Sequence, residues 1–245
     1  MTQKDILQIA QKQLSIDLNC SPEDLMNQHD QIIFTDVKNN PGRRPFPREE
    51  QHFEMATMGR AVIVTATPDI MATIKPMLAG KNHYEAFSMP FVCWHTLCYL
   101  PDLRLLRPVT PPDGFDYETV ERDNIPALYD VKGFDNSLVY DVNSPRPDVL
   151  ALLAKKDGVI VGMAGASADS ATMWQVGMDV LPQYRNRNLA TFLIAQLTIE
   201  ILNRGYVPYY SAGVSNVASQ RVAHRVGYFP AWTYVSYKTE TAPIG

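Results

Sequence analysis

Two apolar runs, Val149 to Lys155 and Val159 to Ala166, meet across Asp157-Gly158, and that dipeptide narrows the possible folds more than any other feature. Asp-Gly between apolar runs is the strongest short-range signal for a tight β-hairpin, because the favoured two-residue turn needs a left-handed backbone at both central positions. Two adjacent antiparallel strands follow, and Thr172 to Val180 supplies the next. Upstream, Phe115 to Glu121 reads as a strand, Asp123 opens a helix with Pro126 in its first turn, and an irregular polar stretch runs to Pro147. Downstream, Asn188 to Asn203 places Ala190, Ile194, Leu197 and Ile201 on one helical face before Gly205 stops it. Val207 to Ala212 is then a strand, Asn216 to Val226 a helix ended by Gly227, and Trp232 to Lys238 a last strand. The class is α/β in the broad sense, α+β in detail.

The N-terminal half is less regular. Ile6, Ile9, Ala10, Leu14 and Leu18 recur at spacings of three and four, an amphipathic helix, and Ser21, Pro22 and Glu23 start a second, short one. Asn39 to Arg48 holds Pro41, Gly42, Pro45 and Pro47 and must be a loop. Its Arg43, Arg44 and Arg48 read as a solvated turn, the alternative being a lid over an anionic ligand. Ala61 to Ala66 reads as a buried strand, Asp69 to Leu78 as a helix and Phe91 to Leu100 as further strand. Pro101, Pro108, Pro111 and Pro112 then mark a boundary near Pro111, giving an N-terminal α+β domain over 1–110 and a second domain over 111–245.

Composition excludes several classes. With 46% hydrophobic and 20% charged residues the chain can bury a core, and a net charge of -4 provides no basic field for nucleic acid or anionic membrane. Nucleic-acid binding through Arg43, Arg44 and Arg48 would need a basic face that this balance does not suggest. Cys20, Cys93 and Cys98 are odd in number and lack a paired spacing, as expected of reduced thiols in a cytoplasmic protein. Met1 to Ile16 has no signal-peptide pattern, no run is long enough to span a bilayer, and His29, His52, His83, His95 and His224 lack metal-ligand spacing, so no metal is expected.

The chemistry concentrates in Val180 to Ala190, a polar loop between a buried strand and a helix start. Free backbone N–H groups there, flanked by guanidinium groups, make an anion site suited to a pyrophosphate. By spacing the loop resembles the acyl-CoA loop of the GNAT superfamily of N-acetyltransferases, Gln/Arg-x-x-Gly-x-Gly/Ala, with Arg185 first, Asn188 in the glycine place and Ala190 in the small-residue place. Asparagine is the non-glycine residue that most readily takes a left-handed backbone, and its side chain can also cap a helix. Downstream, Asn216, Ser219 and Gly227-Tyr228 match the superfamily's second signature. The resemblance covers Phe115 to Lys238 and is nearest to bacterial members that carry an extra N-terminal domain.

The resemblance implies a mixed sheet splayed between its fourth and fifth strands. There the pantetheine arm of acetyl-CoA would pair with backbone near Met178 and Val180. The pyrophosphate would lie on the amides of Arg185, Asn186, Arg187, Asn188, Leu189 and Ala190, with Asn216 and Ser219 completing the cofactor side. Arg185 and Arg187 read as phosphate contacts rather than a solvated pair. The superfamily's usual acid, a tyrosine seven residues after the helix-opening asparagine, is here Ala223.

Asp179 alternates with Met178 and Val180, shares a face with Gln175 and Gly177, and is a candidate base, or else a structural partner of an arginine or of backbone N–H groups. Tyr210 and His224 are candidate acids. Tyr209 lies on the opposite face from Tyr210, so at most one of them faces the cleft. Asp135, Asn136, Tyr140 and Asp141 could attract a cationic amine or be solvated. The leading expectation is acetyl transfer to a primary amine of a small molecule, in a protein that could form a homodimer, with a non-catalytic ligand-holding module as the alternative.

Overall fold

The computed structural model describes residues 1–45 and 52–237; Arg48 and Lys238 lie outside the described residues. In chain order the elements are α1 (Gln3–Asp17), α2 (Pro22–Met26), β1 (Ile32–Asp36), β2 (Phe53–Thr57), β3 (Val62–Ala66), α3 (Pro68–Leu78), α4 (His83–Phe87) and β4 (Val92–Pro101). Next come β5 (Asp116–Glu121), β6 (Asp148–Lys156), β7 (Val159–Ala168), β8 (Met173–Val180), α5 (Leu189–Asn203), β9 (Val207–Gly213), α6 (Val217–Val226) and β10 (Tyr228–Tyr237). This is the α+β class, mixed sheet with helices, that the element order predicts. The helix expected from Asp123 is instead a 3-10 segment, Arg122–Leu128, because Pro126 has no N–H to carry an α-helical ladder through its middle. No helix among the described residues is long and apolar enough to cross a membrane.

The chain gathers into two compact units. One takes Met1–Ile9, Tyr99–Ala212 and Asn216–Phe229; the other takes Ala10–Cys98, Gly213–Ser215 and the chain from Pro230 on. In the second unit β1 runs parallel to β3, while β2 pairs antiparallel with both β3 and β10. Its core joins Met55, Val62 and Val64 to Ile70, Ile74 and Leu78 of α3, whose three-and-four spacing turns one face inward. Arg44 corrects the reading of a solvated turn: it is 8% exposed, and its backbone N and Nε donate to Asp17 at 2.8 and 2.6 Å. A buried carboxylate needs such donors, and only the fold brings one to a residue 27 positions away.

In the first unit the strand order is β5-β6-β7-β8-β9, antiparallel except for β8 and β9. The hairpin turn is as expected, with Asp157 and Gly158 both left-handed (φ 51 and 80) and Lys156 opposite Val159. Register assigns the faces. Residues 151, 153, 163, 165, 177 and 179 share one, with Ala151, Leu153 and Met163 in a core that also holds Phe134 and Leu138. The opposite face carries Gly162, whose hydrogens leave room for Leu193 of α5; a Cβ there would lie 3.1 Å from Leu193 Cδ1. α5 thus covers one face, and the segment between the 3-10 turn and β6 covers the other.

Candidate active site

The end of β8 sets the geometry. Leu181 N donates to Val161 O at 2.9 Å, which fixes the phase of the β7–β8 ladder, so that Met178 and Val180 turn their backbone groups to the edge facing β9. The parallel register with β9 runs from Met173 opposite Val207 to Val176 opposite Tyr210, and there it stops. Beyond Val176 the two strands part. Arg185 Nε takes up one of the exposed groups, donating to Val180 O at 3.1 Å.

From this edge the chain enters a loop of unusual backbone. Asn186 and Asn188 are both left-handed (φ 61 and 63), and Asn188 caps α5. The expectation that Asn188 tolerates this conformation holds, but its side chain makes no capping bond. Side-chain capping uses an extended backbone at the cap residue, and a left-handed one turns Cβ away from the helix amides. The N–H groups of Leu189, Ala190 and Thr191 have no intrahelical acceptor in an α-helix that starts at Leu189. Arg187 stays exposed with its guanidinium 5.7 Å from the Tyr184 ring centroid. Open amides at a helix start, two arginines and an unpaired strand edge make a cradle that fits a diphosphate joined to an extended, amide-bearing arm.

Asn216 and Ser219 hold the start of α6: Asn216 Oδ1 accepts from Ser219 N at 3.1 Å. The Ser219 hydroxyl lies 2.5 Å from the Tyr210 hydroxyl. Tyr210 is buried, and burial, followed by the charge of Asp179, holds its phenol above the ordinary value, so it stays protonated. Ala223, one helical turn after Ser219, is fully buried. His224 is exposed in the last turn of α6 and meets the Tyr99 ring edge-on at 5.6 Å, with Tyr99 in turn 6.4 Å from Tyr210. Tyr209 faces the other way and donates to buried Asp169 at 2.5 Å, beside Gln175, whose amide donates to Ser211.

Asp179 is held by the segment between the 3-10 turn and β6. Asn136 donates to it twice, from backbone N at 2.7 Å and Nδ2 at 2.8 Å. The Ser137 hydroxyl sits 3.1 Å from Asp179 Oδ2 and 2.9 Å from Met163 O, so its one proton serves either acceptor. Backbone of this segment crosses the sheet in direct contact: a Cβ on Gly165 would lie 2.0 Å from Ser137 O, and one on Gly177 2.0 Å from Asn136 O. Gly165 and Gly177 are register partners on β7 and β8. Nearer β6, Asp148 accepts from Val139 N, Tyr140 N and the Tyr129 hydroxyl, while Tyr140 donates to Phe134 O at 2.6 Å. Burial pushes Asp148 above the ordinary carboxylate value despite these donors. Tyr140 is pushed up to about 12, by burial first and then by Asp179, Asp135 and Asp148. The sequence singles out the irregular stretch to Pro147 with Asp135, Asn136, Tyr140 and Asp141, but not the hold of this strap, residues 129–148, on Asp179 or its saddle over Gly165 and Gly177. The available signal was glycine inside two strand patterns, which marks close backbone approach.

Residues 150–237 match the family described as GNAT acetyltransferase. Among solved structures, the chain is similar to a GCN5-related N-acetyltransferase-like protein from Streptococcus suis, at 16% identity over 95% of this chain and 99% of that one, with a TM-score of 0.48. It is similar to an acetyltransferase from the GNAT family of Colwellia psychrerythraea at 11% identity over 97% and 98%, with a TM-score of 0.47. A GCN5-related N-acetyltransferase from Kribbella flavida matches at 20% identity over 60% of each chain, with a TM-score of 0.46. No curated protein matches the sequence. Residues 150–237 are thus similar to a GNAT acetyltransferase domain.

Proposed function

We propose that this protein is an acetyl-CoA-dependent N-acetyltransferase acting on a primary amine of a small molecule. The observation that carries the reading is the parting of β8 from β9 after Val176, directly ahead of the left-handed Asn186–Asn188 turn and the open amides of α5. Met178 and Val180 would hold the extended arm of the cofactor, and Arg185, Asn186, Arg187, Asn188, Leu189 and Ala190 its diphosphate. The cofactor supplies an activated acetyl thioester. The protein then has to orient a neutral amine, keep the thioester in place, and give a proton to sulfur as the carbon–sulfur bond breaks. Tyr210 suits that donor role: its phenol is neutral, and it stands on β9 at the last residue still paired with β8.

A second reading, a module that holds CoA without turnover, is favoured by Ala223 in the place of the superfamily's usual acid and by the engagement of Asp179 with Asn136. Calorimetric titration with acetyl-CoA, followed by thiol release against polyamines, amino acids, aminoglycosides and peptides, separates the two. Amine-dependent release establishes the enzyme, binding with no release selects the module, and absence of binding removes both.

A further inference from the structure

Asp179 lies two residues beyond Gly177 on the face of β8 opposite α5, where the strap crosses. The other face is closed by Leu193 against Gly162 and by Ser219 against Tyr210. A second substrate approaching the opening between β8 and β9 must therefore come from the strap side, and Asn136 is the strap residue beside that opening. Three features fix where Asn136 stands. Its backbone N and its amide both bind the Asp179 carboxylate, its carbonyl rests over Gly177, and Phe134 and Leu138 on either side are buried in the core.

We infer that Asp179 is a positioning residue: it acts through Asn136 to hold the strap as one wall of the amine site, and is not the group that takes the proton from the amine. The inference rests on the N-acetyltransferase reading above. A carboxylate offers about four acceptor positions, and the two short donors of Asn136 with the Ser137 hydroxyl facing a third take up most of them, so the group acts first as the acceptor that holds the strap. The Gly165–Gly177 saddle serves the same end, because any side chain there would lift the strap by more than an ångström.

The two roles separate in the Asp179→Asn variant. The new amide oxygen still accepts from Asn136 N, and the Asn136 amide, turned over, accepts from the new amide N–H. The strap is kept while the carboxylate is lost. The expected result is kcat within about threefold of wild type with an unaltered acid limb of the pH profile, since only charge assistance is lost. In Asp179→Ala and Gly177→Ala, amine KM rises about tenfold or more, as misplacement of a substrate wall demands, while acetyl-CoA affinity is unchanged. Hydrogen exchange of residues 134–140, read without any substrate, is expected to be protected in wild type and Asp179→Asn and faster in Asp179→Ala. Loss of turnover in Asp179→Asn with strap protection intact would overturn the inference and make Asp179 the base. Equal damage to amine and acetyl-CoA parameters in Asp179→Ala would also overturn it. A wild-type protein with no amine-dependent thiol release would instead sink the N-acetyltransferase reading, and unaltered exchange in Asp179→Ala would then still dispose of the pin.

Discussion

The 181–190 loop and the 129–148 strap are both irregular, polar and part of the same unit, yet they treat their hydrogen-bonding groups in opposite ways. In the strap, Asp148 accepts from two backbone N–H groups and a phenol, Asp179 from Asn136 twice, and Tyr140 is tied to Phe134 O. In the loop, two left-handed asparagines and a helix start leave their donors open, and Asn188 does not even cap its own helix. A satisfied irregular segment is structure, whereas open, convergent donors at a surface are a place for an anion. Polarity alone does not separate the two; accounting for each donor does.

Mutations should split along the same line. Asp148→Ala strands the donors of Val139, Tyr140 and Tyr129, and we expect a loss of about 3 kcal/mol in urea unfolding, in line with one or more buried donors left unmet. Acetyl-CoA affinity of the folded fraction should not change, and a stable variant would mean the strap is not held as described. Arg187→Glu should do the reverse, weakening acetyl-CoA about tenfold by calorimetry, ~1.4 kcal/mol, with the unfolding midpoint unmoved. Unchanged affinity would remove the diphosphate assignment. Asn188→Gly should stabilise by no more than about 1 kcal/mol and leave affinity within about threefold, because glycine takes the left-handed backbone without the steric cost of a Cβ. A large loss of affinity would show that the Asn188 side chain itself binds ligand.

The smallest effect concerns pH. Asp148 has a folded-state value above its unfolded one, so its contribution to stability is fully present below the unfolded value and declines as pH rises through the folded one. Unfolding measured from acid to neutral pH should therefore show wild type losing ground steadily to Asp148→Asn. A constant difference between the two would mean that burial does not perturb this carboxylate.

Much of this contrast was legible in the residues. The Asp157-Gly158 turn, α1, α3, α5 and α6 lie where periodicity and end signals place them, and Asn216 and Gly227 cap α6 as their types suggest, Asn216 with its side chain and Gly227 with a left-handed backbone. β1 and β2 were not foreseen, since five residues without clear alternation give too little pattern. The strap reads in the sequence as an irregular polar stretch whose Asp135, Asn136, Tyr140 and Asp141 attract a cationic amine or are solvated, and Asp179 as either a base or a structural partner.

The sequence by itself determined the hairpin, helices α1, α3, α5 and α6, and the left-handed turn at Asn188 ahead of α5. Each rests on residues a few positions apart, whose backbone preferences act before any core exists. Only the tertiary structure decided that Arg44 is buried on Asp17, that β8 and β9 part after Val176, and that Asp179 is held by Asn136, 43 residues away. The reason is physical. A charged side chain takes whichever donor the packed chain brings within about 3 Å, and sheet register brings distant residues together in ways that local preference does not encode.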